Sequence, residues 1–187
     1  MKKRIIVGLS GASGAIYGIR ALDFLRGVAD AETHLVLTAA ARRTITEETE
    51  WTVQEVEALA DEVHDYRDIG ASIASGSFRT AGMLVAPCSI RSLSSIANSH
   101  SDTLLSRAAD VCLKERRPLV LMVRETPLHL GHLELMARAS RYGACILPPV
   151  PAFYSKPQTI DDLVNHSVGK ALDLLDIDHA LMKRWKE

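Results

Sequence analysis

The chain has 187 residues, 47% of them hydrophobic, and its 22 basic and 23 acidic side chains leave a formal net charge of −1. That length supports one hydrophobic core, so we expect a single domain over residues 1–187 with a short C-terminal tail from about residue 176. Because the two signs of charge are interspersed, the sequence offers no broad basic surface for nucleic acid or an anionic membrane, and any anion site must be local.

The first fifty residues predict a strand–helix–strand–helix unit. The β-branched run Ile5–Leu9 ends at glycines, and apolar residues then recur at helical spacing from Ile16 to Leu25. A second apolar run, His34–Thr38, precedes another helical stretch that extends through Glu50. A crossover of this kind predicts parallel pairing of the two strands.

The rest of the chain extends the same pattern. Three continuous apolar runs, Met83–Ala86, Leu119–Val123 and Ala144–Leu147, are typical of strands covered on both faces. A proline-rich excursion at Pro148–Pro151 separates them from an amphipathic helix over Ile160–Leu175. We therefore predict a doubly wound, Rossmann-like (flavodoxin-like) α/β fold, a parallel sheet in three αβα layers, with ligand chemistry at the carboxyl ends of the strands.

Cysteine usage and the N-terminus bear on location. Cys88, Cys112 and Cys145 lie far apart in apolar runs, which is typical of buried thiols in a reducing compartment rather than of a disulfide framework or a zinc site. The run Ile5–Leu9 is too short for a signal or membrane-spanning segment. These features predict a cytoplasmic protein without a membrane anchor.

The glycine-rich loop after the first strand is the first candidate site. In Gly11-Ala12-Ser13-Gly14, small residues allow backbone amides and a hydroxyl to approach a phosphate at a helix N-terminus. The loop lacks the spacing of a dinucleotide fingerprint and the lysine of a P-loop, and Thr38 stands where an acidic residue would bind a ribose. A mononucleotide fits better than NAD, and a purely structural tight turn is the alternative.

Two further loops flank the third strand. Ala74–Ser77 is rich in hydroxyls, and Pro87-Cys88-Ser89 follows the strand directly. Ser89 is well placed to cap the next helix. Cys88 has no histidine partner nearby in sequence, so we interpret it as a packing residue rather than a nucleophile.

Charged residues concentrate after residue 106. Arg124 and Glu125 end an apolar strand, where a guanidinium can hold an anion and a carboxyl can act as acid or base, although a structural ion pair is an alternative. Salt bridges on a solvated helix face explain most of Lys114–Arg117. His129 and His132 lack the spacing of a zinc-protease motif, and we expect no metal.

The loops taken together resemble the UbiX/Pad-type flavin prenyltransferases over residues 8–175. The segments that carry the resemblance are Gly11–Gly14 with Tyr17-Gly18, Ser75–Ser77, Pro87–Ser89, Arg107–Val111, Leu113–Glu115, Arg124–Pro127 and Pro151–Tyr154. The resemblance implies transfer of a dimethylallyl group from dimethylallyl phosphate to N5 and then C6 of reduced FMN, without a metal.

The resemblance also implies a role for individual residues. The positions implied to bind FMN are Gly11, Ala12, Ser13, Thr38, Ser89, Ile90, Arg91, Ser92 and Arg124. Tyr154, Lys170, Arg107 and Lys114 are implied to hold the dimethylallyl phosphate. Glu125 and Lys114 are implied to act on the departing phosphate, and Glu48 and Ser13 are candidates for the final proton removal.

Lys170 departs from the family pattern, because members often carry arginine at that position. Lysine keeps the positive charge but lacks the guanidinium group that can donate two hydrogen bonds to one phosphate. Thr38 and Ser92 replace a serine and a threonine and keep a hydroxyl. Two rival functions remain: a flavin-dependent decarboxylase and a flavin-carrying accessory subunit. The resemblance further implies a trimer-based dodecamer with active sites between subunits, and a UbiD-type decarboxylase as recipient of the prenylated FMN.

Overall fold

In a computed structural model, which describes residues 2–184, the chain forms one six-stranded parallel sheet. The strand order is β3-β2-β1-β4-β5-β6. The strands are β1 Lys3–Leu9, β2 Ala31–Leu37, β3 Glu62–His64, β4 Gly82–Cys88, β5 Leu119–Val123 and β6 Cys145–Ile146. The sequence-based prediction of a doubly wound parallel α/β fold is confirmed.

Helices cover both faces of the sheet. They are α1 Ala15–Arg26, α2 Ala39–Glu48, α3 Val53–Glu57, α4 Ile90–Ala97, α5 Leu104–Lys114, α6 Leu130–Arg141 and α7 Ile160–Asp173. One buried cluster joins α1 and α7 to one face, and a second joins α4 and α5 to the other. No helix within residues 2–184 is both long and apolar enough to cross a membrane.

Two predicted elements need correction, and one strand was not predicted. The second helix ends at Glu48 instead of Glu50, and a separate short helix with its own capping box at Thr52 follows. The run Ala144–Leu147 forms a strand only at Cys145–Ile146, which is half-buried because it lies at the edge of the sheet. The opposite edge strand, Glu62–His64, was not predicted, since its polar residues lack an apolar run.

The last predicted element is the tail. α7 ends at Asp173, and Asp176 lies at the amino end of the sheet, where Lys3 Nζ donates to the Asp176 carbonyl at 2.8 Å. The tail then runs back along α7, where His179 lies against Gly169. The predicted tail segment Leu181–Trp185 lies partly outside the described residues, which end at residue 184.

Candidate functional site

A cleft of about 410 Å³ lies at the carboxyl ends of the strands, beside the place where the strand order reverses between β1 and β4. This topological switch point is where open α/β sheets bind ligands, because the loops on its two sides diverge. Seven of the predicted site residues line it, namely Gly11, Thr38, Ser89, Ile90, Arg91, Ser92 and Glu125.

Ser10 closes the floor of the cleft. Its side chain is buried, and its Oγ donates to the Pro87 carbonyl at 2.9 Å while accepting from the Ser89 amide at 2.7 Å. These two bonds join the ends of β1 and β4 across the switch point. Ser10 was missed in the sequence, where it read as the last residue before the glycine loop.

Two helix N-termini open onto the cleft. Thr38 caps α2 by accepting from the Ala41 amide at 3.1 Å, and Ser89 caps α4 by accepting from the Ser92 amide at 3.2 Å. The remaining first-turn amides of a helix have no partner inside it, and the helix dipole makes them favourable to negative charge. Ala39, Ala40, Ile90 and Arg91 carry such amides and line the cleft, so its walls are built to hold an anion.

Gly11 keeps the first loop close to α2. A Cβ built on Gly11 would overlap the side chain of Ala40, which is in the first turn of that helix. The small residue therefore leaves room for the loop and the α2 N-terminus to face one ligand together. This close approach fits the cradle expected for a nucleotide phosphate.

Glu48 occupies the N-terminus of α1. Its Oε2 accepts from the Gly14 amide at 2.7 Å and from the Ala15 amide at 3.3 Å. The expectation that a phosphate binds directly at the α1 N-terminus is therefore modified, because a carboxylate already holds those amides. The same contacts bring Glu48 next to Ser13, its predicted partner in proton removal.

Arg124 and Glu125 follow β5 and are both exposed. The Arg124 amide donates to the Cys88 carbonyl at 3.1 Å, which fixes the loop to the end of β4. Partial burial raises the pKa of the neighbouring Tyr17, and the charge of Arg124 opposes this rise. Glu125 Oε1 accepts from the Thr126 amide at 3.0 Å, and within residues 2–184 neither Arg124 nor Glu125 forms the structural ion pair that was the alternative.

Tyr154 and Lys170 are brought to one surface by α7. Tyr154 Oη lies 2.9 Å from His166 Nε2, and Lys170 is one helical turn beyond His166. Lys170 also forms an ion pair with Asp173 at 3.7 Å. His166 was not singled out in the sequence, because nothing links it to a tyrosine twelve residues earlier.

Arg107 and Lys114 lie along α5, which starts at the cleft and runs away from it. Arg107 donates to the Ala74 carbonyl at 3.2 Å and to Asp110 at 3.1 Å. Lys114 is at the far end of the helix, about 15 Å from its first turn, where it pairs with Glu115 beside Gly76. One chain therefore does not bring Lys114 to Glu125.

The cysteine thiols are poor candidates for catalysis. Burial raises the pKa of Cys88 to about 12. Burial also raises the pKa of Cys112 to about 11, although Arg117 and Thr80 oppose the rise. A nucleophilic cysteine needs a lowered pKa, so the interpretation of Cys88 as a packing residue agrees with its surroundings.

Several residues of the cleft were missed by sequence reasoning. Besides Ser10, they are Tyr66, Ser95, Asp102, Thr103 and Ser106. Thr103 and Ser106 form the capping box that starts α5. The usual sequence signature does not reveal it, because position 106 is serine where the signature has glutamate or glutamine. Tyr66 follows the unpredicted strand β3 and had no local signal.

Comparison with known proteins places these features in a family context. Residues 1–172 match the family model described as Flavoprotein. A flavin prenyltransferase UbiX of Salmonella typhimurium is 61% identical over 186 residues, which cover 98% of each chain.

Two solved structures superpose closely on the chain. AnUbiX in complex with FMN and dimethylallyl pyrophosphate has a TM-score of 0.98 and 49% identity, covering 100% of this chain and 99% of that one. A dodecameric FMN-dependent UbiX-like decarboxylase from Escherichia coli O157:H7 has a TM-score of 0.96 and 47% identity, covering 98% and 100%.

Proposed function

Because the chain belongs to the Flavoprotein family, we propose that it is a flavin prenyltransferase that alkylates reduced FMN with a dimethylallyl group. The resemblance drawn from the loop motifs is thereby confirmed at the level of the family. The observation that carries the proposal is the cleft at the switch point, where the N-termini of α2 and α4 meet the Gly11 loop.

The residues of the cleft fit FMN. A phosphate between the first turns of α2 and α4 would receive backbone amides and the hydroxyls of Thr38, Ser89 and Ser92. The cleft volume of about 410 Å³ lies within the range of sites that hold small ligands. We assign FMN binding to Gly11, Ala12, Ser13, Thr38, Ser89, Ile90, Arg91, Ser92 and Arg124.

The donor phosphate would be held by residues that face a different subunit's flavin. Lys170 and Tyr154 share one surface, and Lys114 is near the far end of α5 from the cleft of its own chain. A site shared between subunits would explain why Lys114 lies far from the cleft of its own chain. Exposed apolar residues beside Tyr154, including Phe153 and Ile160, support a subunit contact there, as in a trimer-based dodecamer.

The chemical step would be stabilised by fixed charge. Bond formation to the flavin nitrogen breaks the carbon–oxygen bond of the donor, and negative charge grows on the departing phosphate. Lys114, Arg107, Arg124 and Lys170 would stabilise that charge, with Tyr154 donating a hydrogen bond and Glu125 a proton. Glu48, held one residue from Ser13, would take the proton that is lost after ring closure.

The proposal also names the donor of the dimethylallyl group and the enzyme that receives the prenylated FMN. AnUbiX was crystallised with dimethylallyl pyrophosphate, whereas we propose the monophosphate as donor for this chain. We further propose that a UbiD-type decarboxylase receives the product.

Three free thiols support a cytoplasmic location. We also propose that residues 1–187 act as one domain.

The test combines the purified protein with reduced FMN under anaerobic conditions and supplies either dimethylallyl phosphate or dimethylallyl pyrophosphate. Mass spectrometry should find flavin heavier by one prenyl unit in the presence of the monophosphate. Flavin bound without a mass increase would favour the accessory-subunit alternative. Release of carbon dioxide from an acid substrate without prenylation would favour the decarboxylase alternative.

A further inference from the structure

Two histidines and a glutamate meet on the sheet between β2 and β3. His34 Nδ1 lies 3.0 Å from His64 Nε2 and 3.4 Å from Glu62 Oε2, and His64 Nε2 lies 3.7 Å from Glu62 Oε1. All these potential ligand atoms fall within 4.8 Å of one another. The three side chains therefore point at one common volume.

The parallel register of the two strands creates this convergence. His34 is paired with Glu62, and Val36 is paired with His64. Because side chains alternate along a strand, His34, Glu62 and His64 project from the same face of the sheet. The arrangement is thus set by the backbone and does not depend on the position of a mobile loop.

The spacing of the three atoms matches a tetrahedral metal. Ligands about 2.0–2.1 Å from zinc in a tetrahedral site lie roughly 3.4 Å from one another. The observed separations of 3.0, 3.4 and 3.7 Å bracket that value. Two histidines and one glutamate are a ligand set that proteins use for zinc, with the fourth position left for water.

A second carboxylate orients the first histidine. His34 Nε2 lies 3.1 Å from Glu32 Oε1, and Glu32 also accepts from Arg4 Nε at 2.9 Å. Donation from Nε2 to Glu32 leaves Nδ1 with its lone pair directed at Glu62 and His64. Histidine ligands of zinc commonly have such a carboxylate partner.

The two histidines are buried, while the Glu62 side chain is 53% exposed. The exposed carboxylate gives a cation a path from solvent. The cluster lies in the middle of β2, about 13 Å along the strand from Thr38 at the flavin cleft, so it is separate from the proposed reaction site. A cation here would link the side chains of β2 and β3 and so stabilise the short edge strand and the segment that leads to Tyr66.

We propose that His34, His64 and Glu62 form a zinc-binding site whose fourth ligand is water, with Glu32 orienting His34. The bound ion stabilises the edge of the sheet and takes no part in prenyl transfer. A hydrogen-bonded histidine pair without a metal is the outcome that contradicts this.

The test uses the full-length protein stripped of metal by a chelator and titrated with zinc chloride against a chromophoric zinc indicator. One zinc should bind per chain and raise the melting temperature. Glu62→Gln and His64→Gln should each weaken zinc affinity by at least ~10-fold, the scale seen when supporting residues of zinc sites are changed. Cobalt in place of zinc should give the intense visible absorption of a four-coordinate site in the wild type and lose it in both variants.

His100→Gln is the matched control, because His100 is exposed and lies outside the cluster. Circular dichroism of each metal-free variant checks that the fold is retained. The proposal is overturned if the wild type fails to compete with the indicator, or if Glu62→Gln and His64→Gln bind zinc as tightly as the wild type does. Loss of binding in His129→Gln alone would assign the zinc to the His129–His132 pair and would also overturn it.

Discussion

Tyr154 and His166 are joined by a hydrogen bond of 2.9 Å between Oη and Nε2, with their rings edge to face at 81°. The bond connects the loop after β6 to α7, so it holds an otherwise exposed tyrosine at a set position above the helix. Lys170 lies one turn further along α7, and its charge lowers the pKa of His166 in addition to the larger effect of burial. With its proton on Nε2, the neutral imidazole would donate to Tyr154 Oη, so that the tyrosine hydroxyl can in turn donate to the donor phosphate.

Replacing His166 by phenylalanine keeps an aromatic ring and removes the hydrogen-bond partner of Tyr154. Loss of one neutral hydrogen bond costs about 0.5–1.5 kcal/mol, so we expect prenyl transfer to fall about threefold to tenfold while flavin affinity is retained. The rate and the KM for the donor, measured by mass spectrometry of the flavin, check this. In a double variant with Tyr154→Phe the two losses should not multiply, and fully additive losses would show that His166 does not act through Tyr154.

The lowered pKa of His166 predicts sensitivity of stability to acid. As the pH falls below about 6.5, His166 becomes protonated in the unfolded state while it is still neutral in the folded state. The free energy of unfolding therefore decreases with falling pH until the folded pKa is passed, and then its dependence on this group ends. Urea unfolding at about pH 7.5 and about pH 5.5 should show a smaller decrease in His166→Gln than in the wild type, whereas His100→Gln should behave as the wild type. An unchanged decrease in His166→Gln would contradict the argument.

Glu48 should matter for both stability and activity. Glu48→Ala removes the acceptor of the Gly14 and Ala15 amides and should lower the free energy of unfolding by about 0.5–2 kcal/mol, as loss of a helix cap does. Glu48→Gln keeps an acceptor but cannot take up a proton, so its stability should be closer to the wild type while its prenyl transfer should fall as it does in Glu48→Ala. Glu47→Gln, whose side chain pairs with Arg43 on the surface, is the control. Equal activity of Glu48→Gln and the wild type would exclude Glu48 as a base.

The sequence predicted the sheet well because its central strands are continuous apolar runs. Leu119–Val123 matches β5 at both ends, and Ser89 caps α4 as expected. The edges were harder, because an edge strand such as Glu62–His64 is polar on its open side and lacks such a run. The same strand carries two of the three proposed zinc ligands, Glu62 and His64, and leads to Tyr66.

Some residues of the candidate site could likewise be predicted from local sequence, and others could not. Residues that follow strands, such as Thr38 and Ser89, are readable from local sequence because chain order puts them at the carboxyl edge of the sheet. The contact of Glu48 with Gly14 spans 34 residues, and no local pattern indicates it. The distance between Lys114 and the cleft depends on how α5 lies, which became visible only in the folded chain.

The three thiols should differ in reactivity. Burial raises the pKa of Cys88 to about 12 and that of Cys112 to about 11, and both side chains are enclosed, whereas Cys145 on the edge strand is half-buried. A thiol reagent at neutral pH should therefore label Cys145 first in the native protein and all three cysteines after denaturation. Peptide mass mapping at short times checks this. Labelling of Cys88 at the rate of Cys145 would indicate that the end of β4 opens readily.

Lys170 is the position that best separates donor binding from flavin binding. Lys170→Ala removes a cation from the surface that it shares with Tyr154, about one helical turn from His166, and leaves the cleft at the switch point intact. We expect FMN affinity to stay within about twofold, while the KM for dimethylallyl phosphate rises by about tenfold or more, since a charged hydrogen bond contributes about 1.5–3 kcal/mol. Lys170→Arg should retain activity, because the guanidinium keeps the charge and adds a second donor. Lys156→Ala, which removes an exposed cation from the neighbouring loop, serves as the control. If Lys170→Ala lost flavin binding together with activity, Lys170 would belong to the flavin site or to the subunit contact, and its assignment to the donor phosphate would be wrong.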